Sequence, residues 1–249
     1  MGDKAEITLS DVHAIQDAMI NLNLERFMNA SRGLDEELRA AGLQIQSVTD
    51  LHWPGVADQR AFPILARWFR ATDYFELKEE ILAILTRPWA KTQAPTFFLE
   101  EYRKIAPGEN GDDGSLRWSL ADGLKQTAGD AIVSDLIELA GQKGGGPPRY
   151  LLILALARMK SARPVVIPHL LGWLDDVSPD VYVAAADVLG RWKVGDALPF
   201  LTRLIERPME EPIPADALLQ DRSWNRSQLV RAQKKLIRET RRIGEASLA

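Results

Sequence analysis

Residues 178–206 read SPDVYVAAADVLGRWKVGDALPFLTRLIE, and this stretch decides the fold. Ser178 brings a hydroxyl that can accept from the free N–H groups of a helix start, and Pro179 brings a fixed φ suited to the first helical position. Val181, Ala185, Val188 and Leu189 then recur at helical spacing. Val194-Gly195-Asp196 makes a corner, after which Leu198, Leu201, Leu204 and Ile205 line one face of a second helix. The unit is two short helices joined by a tight turn. Such a unit cannot bury its apolar face alone and must stack on copies of itself.

The copies lie upstream. Residues 61–69, AFPILARWF, match residues 197–205, ALPFLTRLI, at an offset of 136, with Ala, Pro, Leu and Arg identical. Residues 166–174, VIPHLLGWL, repeat the proline and the apolar stripe at an offset of 31. For the first helix of the pair, LARMK at 156–160 matches LGRWK at 189–193 at an offset of 33. Leu85 and Arg87 match at 104, and Leu124 at 65, with Gln126 in the arginine place. The period of about 31 to 35 residues predicts helix pairs near 34–71, 74–105, 115–142, 147–174 and 178–206. Turn-like linkers are expected at 107–114 and 144–148.

Outside the repeats, residues 9–30 form a helix that Ser10 and Asp11 can cap and that Ser31-Arg32-Gly33 should end. A further helix is expected over 34–41, stopping at Gly42. Residues 44–56 fit a helix or an irregular segment, with Trp53-Pro54-Gly55 as a turn. Two prolines in 210–215 interrupt the pattern, and a last helix runs from about 223 to 243. There Leu229, Leu236 and Ile243 fall seven apart and oppose a basic face. The expected fold is all-α: an α-solenoid of about five helix pairs over 1–214, closed by a capping helix at its start. A basic helix within 215–249 caps the other end.

The units resemble HEAT repeats, in particular the short class named after the phycobilisome lyases. The first helix of that class reads like D-V-R-x-x-A-A-x-A-L-G, which Asp180-Val181, Ala184-Ala185-Ala186 and Leu189-Gly190 follow closely. Tyr182 replaces the family arginine, while Lys78, Arg117 and Arg149 hold the equivalent places in other copies. The resemblance covers about residues 34–206 and implies a fold far more than a function. It also implies that the second helices line a concave surface. Arg67 and Arg203 occupy matching places on that helix, and Glu101 and His169 lie on other copies, so these four are the candidate binding residues.

Composition bounds the function. The chain has 249 residues, 46% of them hydrophobic, and no cysteine, which excludes disulfides, thiolate metal sites and a cysteine nucleophile. The charged start, MGDKAEITLSD, has no apolar core of a signal peptide, and no apolar run approaches the roughly 20 residues of a membrane span. A cytoplasmic place is expected. The net charge is −4, but residues 215–249 hold eight basic and four acidic side chains, a net of +4 that leaves −8 on the remainder. An acidic body disfavours nucleic acid except through the C-terminal basic face of Arg231, Lys234, Lys235, Arg238, Arg241 and Arg242.

No catalytic motif emerges. His13, His52 and His169 are far apart and lack metal-ligand spacing, so neither a metal nor a cofactor is expected. The carboxylate neighbours Glu100-Glu101, Asp112-Asp113 and Asp175-Asp176 point in different directions on a helix and read as solvated surface or caps. Gly144-Gly145-Gly146 lacks the Lys-Ser/Thr of a phosphate loop. The expected function is a non-enzymatic scaffold that holds another protein in its groove. Two alternatives follow from fold resemblance: nucleic-acid binding or DNA-glycosylase-like chemistry supported by the basic helix, and a cofactor lyase of the same repeat class.

Overall fold

The computed structural model describes residues 9–108, 111–143, 148–206 and 226–247; in its terminal helices side chains are described for Gln16, 18–40 and 234–245. Among the described residues it is all-helical. Eleven α-helices follow in order: α1 (Leu9–Ala40), α2 (Ala61–Ala71), α3 (Phe75–Leu85), α4 (Ala94–Lys104), α5 (Gly111–Thr127) and α6 (Val133–Gly141). Then come α7 (Arg149–Leu156), α8 (Arg163–Trp173), α9 (Pro179–Trp192), α10 (Leu198–Glu206) and α11 (Arg226–Ser247). The helices group into two compact units, Met1–Ala90 and Lys91–Ala249. Among the described residues, no helix is long and apolar enough to cross a membrane.

Helices appear close to the expected limits, but each second helix packs on the first helix of the next expected pair (α2 on α3, α4 on α5, α6 on α7, α8 on α9). Short 3₁₀ turns at Pro88–Ala90, Asp130–Ile132, Lys160–Ala162 and Gly195–Ala197 separate first from second helices. A longer one, Val48–His52, stands between α1 and α2 and settles the ambiguous segment. Ser47 begins it as a capping box with Asp50, whose carboxylate accepts from the Ser47 N–H at 3.1 Å. Trp53-Pro54-Gly55 turns as expected, with Gly55 at positive φ.

Aligning the helices on their corners changes the register read from the sequence. Setting Lys160–Ala162 on Gly195–Ala197 places Pro164 over Pro199 and buried Val166 over buried Leu201, an offset of 35. The sequence match at 31 is therefore one helical turn out; a shift of four residues returns to the same helix face, which is why it looked correct. Pro168, aligned at 31 with a first-turn proline, sits inside α8 instead.

Within Lys91–Ala249, α5 packs on α4 and α7, α7 on α6 and α9, α9 on α8, and α11 on α9 and α10. Polar contacts repeat at about one period. Arg158 Nη1 donates to the Gln126 carbonyl at 2.8 Å, 32 residues back, and Trp192 Nε1 to the Ala157 carbonyl at 3.3 Å, 35 residues back. Lys78, Arg117 and Arg149 each reach the preceding helix. Lys78 lies over the Phe69 ring of the preceding helix in its unit. Arg117 lies 4.0 Å from the Tyr102 ring centre and donates to the Tyr102 and Ile105 carbonyls at the end of α4. Arg149 donates through Nε to Ala140 at the end of α6 at 2.9 Å, and pairs with Asp176 at 2.7 Å. A cation on a helix C-terminus satisfies orphan carbonyls and meets the negative end of the helix dipole.

Three local expectations are corrected. α1 does not break at 31–33: Gly33 is a notch, not a stop. A Cβ there would lie 2.8 Å from the Trp68 ring, so glycine lets that ring rest on α1, while Trp68 Nε1 donates to Glu37 Oε2 at 2.9 Å. Ser31 stays helical by bonding Asp35 Oδ2 through its hydroxyl at 3.1 Å, and the helix does stop at Gly42, at positive φ. The linker expected at 107–114 is shorter, because α5 begins at Gly111 and places Asp112 and Asp113 in its first turn, where carboxylates meet the positive end of the dipole. Ser178 makes no side-chain cap; its N–H donates to Asp176 Oδ1 at 2.9 Å, and the left-handed residue that closes α9 is Lys193. The interruption expected at 210–215 and the start of the last helix at 223–225 lie outside the described residues.

Candidate functional site

The second helices each bury one face and leave a row in solvent. In α2 the buried set is Ala61, Phe62, Leu65, Ala66 and Phe69, at helical spacing. In α4 the same pattern falls on Ala94, Phe98, Leu99 and Tyr102, which puts Glu100 at the Arg67 place. Corner alignment puts Glu138 of α6 and Pro168 of α8 at the Arg203 place of α10. All five residues are exposed. Within Lys91–Ala249 the matching exposed places are held by Glu100, Glu138, Pro168 and Arg203; within Met1–Ala90 the match is Arg67.

The expected binding residues divide accordingly. Arg67 is exposed and paired with Glu37, whose carboxyl is held below its ordinary range first by the Trp68 indole N–H and then by Arg67 itself. Arg203 is exposed and stacks 5.0 Å from the Phe200 ring centre. Glu101 is buried and receives Lys104 Nζ at 2.8 Å, so it belongs to the packed side of α4 rather than the row. His169 is exposed, one residue past the row, 6.0 Å from the Trp173 ring. Nothing in the sequence marks the acidic members: Glu100 reads only as one of two adjacent carboxylates and Glu138 belongs to no motif. Glu138 lies 3.6 Å from Arg103, which makes a tighter pair with Asp135 at 2.7 Å.

The C-terminal basic face is partly turned inward. Leu236 and Ile243 are buried, and α11 packs on α9 and α10. Glu239 sits between them, fully buried, and the contact depends on Gly190: a Cβ there would meet Glu239 Oε2 at 2.2 Å. Arg238 and Arg242 hold the two oxygens of Glu239 at 2.8 and 3.1 Å. Buried Asp187 of α9 takes Arg191 at 2.6 Å and Lys235 at 3.5 Å. Lys234 and Arg241 are exposed. The Arg231 side chain and that of Leu229 lie outside the described residues. Two buried carboxylates therefore engage three of the expected basic residues.

A second polar cluster lies in Met1–Ala90. Arg87 donates to His52 Nδ1 through Nε at 3.2 Å and reaches it through Nη2 at 2.7 Å. Arginine offers only donors, so Nδ1 accepts and Nε2 carries the proton toward Glu80 Oε1, 2.9 Å away. No spacing rule links His52, Glu80 and Arg87, and the corner alone brings them together. Among the described residues, no three His, Cys, Asp or Glu side chains converge as metal ligands. The His13 side chain lies outside the described residues.

Comparison with protein-family models, with curated proteins and with solved structures finds no match.

Proposed function

We propose that this chain is a non-enzymatic protein-binding scaffold whose helix pairs stack as a HEAT-like α-solenoid. Its second helices present the surface that holds the partner. The observation that carries this reading is the solvent row, one place per repeat: a stacked array turns equivalent residues of successive repeats into one binding surface. Within Lys91–Ala249 that row holds Glu100, Glu138, Pro168 and Arg203, two of whose three charges are acidic. With the negative net charge, this favours a partner with a basic face. The nucleic-acid alternative draws on the C-terminal helix, where Asp187 and Glu239 offset part of the charge of Lys235, Arg238 and Arg242.

The test is an affinity pull-down from the source cell with the full chain and with the double variant Glu100→Lys, Glu138→Lys, read by mass spectrometry. Both residues are exposed, so the variant should keep the parent melting temperature. One protein recovered in stoichiometric amount by the parent and lost by the variant supports groove binding. Equal recovery by both, or recovery of nucleic acid alone, rejects it.

A further inference from the structure

The cluster of His52, Glu80 and Arg87 ties together two stretches of Met1–Ala90 that lie 35 residues apart. His52 ends the 3₁₀ turn Val48–His52. Arg87 follows α3, where its own N–H donates to the Ile84 carbonyl at 3.1 Å. Two of its side-chain nitrogens, Nε at 3.2 Å and Nη2 at 2.7 Å, converge on the single ring nitrogen Nδ1. On the far side of the ring Nε2 meets Glu80 Oε1 at 2.9 Å, so α3 holds the imidazole in one orientation. The ring is 26% exposed and Glu80 22%, whereas Arg87 is exposed.

We propose that His52 is a proton-operated clasp: neutral, it holds Arg87, and protonated, it lets Arg87 go. The reason is a count of lone pairs. A neutral imidazole has one acceptor nitrogen, and arginine offers donors only and keeps its charge. An added proton must go to Nδ1, because Nε2 already carries one toward Glu80. That proton removes the lone pair on which Arg87 sits and sets an N–H and a positive charge against a guanidinium. The bond to Glu80 survives and becomes charged on both sides. Arg87 has lost its acceptor, and its exposed side chain swings into water.

The other charged groups around the turn are engaged elsewhere. Within it, Asp50 accepts from the Gln46 and Ser47 N–H groups at 2.7 and 3.1 Å. From α1, Asp35 accepts from the Val48 N–H at 2.6 Å and Arg39 donates to the Gln46 carbonyl at 3.0 Å, both at the start of the turn and not at His52. On α3, Glu79 lies about 100° round the helix from Glu80. Among the described residues, Glu80 is thus the carboxylate that pairs with the ring. The clasp uses none of the second-helix row, and either reading can fail without the other.

The test follows the His52 ring nitrogens and the Arg87 Nε–H by nitrogen NMR on the full chain from about pH 8 to about pH 5, the interval in which imidazoles change charge. The control is His52→Gln, whose amide can accept from Arg87 and donate to Glu80 but takes no proton. In the parent at high pH the ring proton should sit on Nε2. As Nδ1 takes up a proton, the Arg87 Nε–H signal should move with it, and in His52→Gln that signal should stay where it is. At about pH 5, exchange of the Arg87 Nε–H with water should be about tenfold faster in the parent than in His52→Gln, the lower end of what a hydrogen bond from a charged group contributes. At about pH 8 the two rates should be equal. A neutral ring with its proton on Nδ1, a ring that takes no proton by about pH 5, an Arg87 signal indifferent to protonation of His52, or the same pH response in His52→Gln overturns the proposal.

Discussion

Replacing Gly190 by alanine has a sign that depends on whether Glu239 sits where the structure places it. In a helix interior, Gly→Ala ordinarily stabilises by about 1 kcal/mol, because alanine loses less backbone entropy. Here the new Cβ would lie 2.2 Å from Glu239 Oε2, 3.0 Å from its Cδ and 3.1 Å from its Cβ. The carboxylate tip alone could swing aside, but Glu239 has no exposed surface and its root is also crowded. Overpacking of this kind costs about 1–3 kcal/mol, and displacing the carboxylate disturbs two charge-assisted bonds worth about 1.5–3 kcal/mol each. Arg238 and Arg242 are partly in solvent and can follow the carboxylate, so only part of that second contribution is lost. The net expectation is a loss of about 2 kcal/mol, which at about 2–4 °C per kcal/mol lowers the melting temperature by about 4–8 °C. Calorimetry on the parent, Gly190→Ala, Glu239→Ala and the double variant closes a cycle. With Glu239 shortened, only the contact to its Cβ at 3.1 Å remains, so Gly190→Ala should cost much less than in the parent. A stabilising Gly190→Ala in the parent background would refute the docking of α11 on α9 through this contact.

Two further predictions separate buried from exposed electrostatics. Arg149→Leu leaves the Asp176 carboxylate buried without its cation and should cost about 3–5 kcal/mol in urea titration, whereas Arg103→Ala, on a half-exposed pair with Asp135, should cost less than about 1 kcal/mol. Comparable costs would contradict the burial assigned to Arg149. Burial raises the Asp35 carboxyl above its ordinary range, despite bonds from the Val48 N–H and Ser31. Its folded form therefore holds a proton at pH values where the unfolded form has released it, and its contribution to stability falls as pH rises above about 4. Asp35→Asn keeps an acceptor for Val48 and removes that dependence, so its melting temperature should gain on the parent between pH 4 and pH 7. A difference that stays constant across that range would place Asp35 in solvent.

What the sequence made legible is what periodicity encodes. The limits of α9 and α10 follow from Pro179, the spacing of Val181, Ala185 and Leu189, and the corner at Gly195, all local signals that tertiary packing reinforces. Gly33 shows the opposite case. In sequence a glycine after Ser-Arg is indistinguishable from a helix stop, and only the Trp68 ring, 35 residues away, makes it an interior notch. Gly190 is the same device at the other end of the chain, read in sequence as part of a repeat motif and used in the fold to admit Glu239.

The site residues were less legible for a related reason. A helical repeat keeps both its apolar and its solvent face under a shift of one turn, so a match on periodicity alone is degenerate at four residues. The sequence alignment at 31 kept Val166 and Leu170 buried and moved the exposed place from Pro168 to Gly172. Glu101 and Glu100 are a different case: they are adjacent and so lie on different faces, Glu101 buried with Lys104 on the packed side and Glu100 exposed. The feature that breaks the degeneracy is the 3₁₀ corner, whose place along the chain has no freedom of one turn. For a solenoid-like chain, registering the repeats on their corners, and not on their apolar stripes, is what turns buried periodicity into a statement about the surface. On the corners Glu138 of α6 takes the Arg203 place, while Glu100 of α4 is placed by its burial pattern; both are exposed where Glu101 is buried, so the binding reading rests on them and not on Glu101.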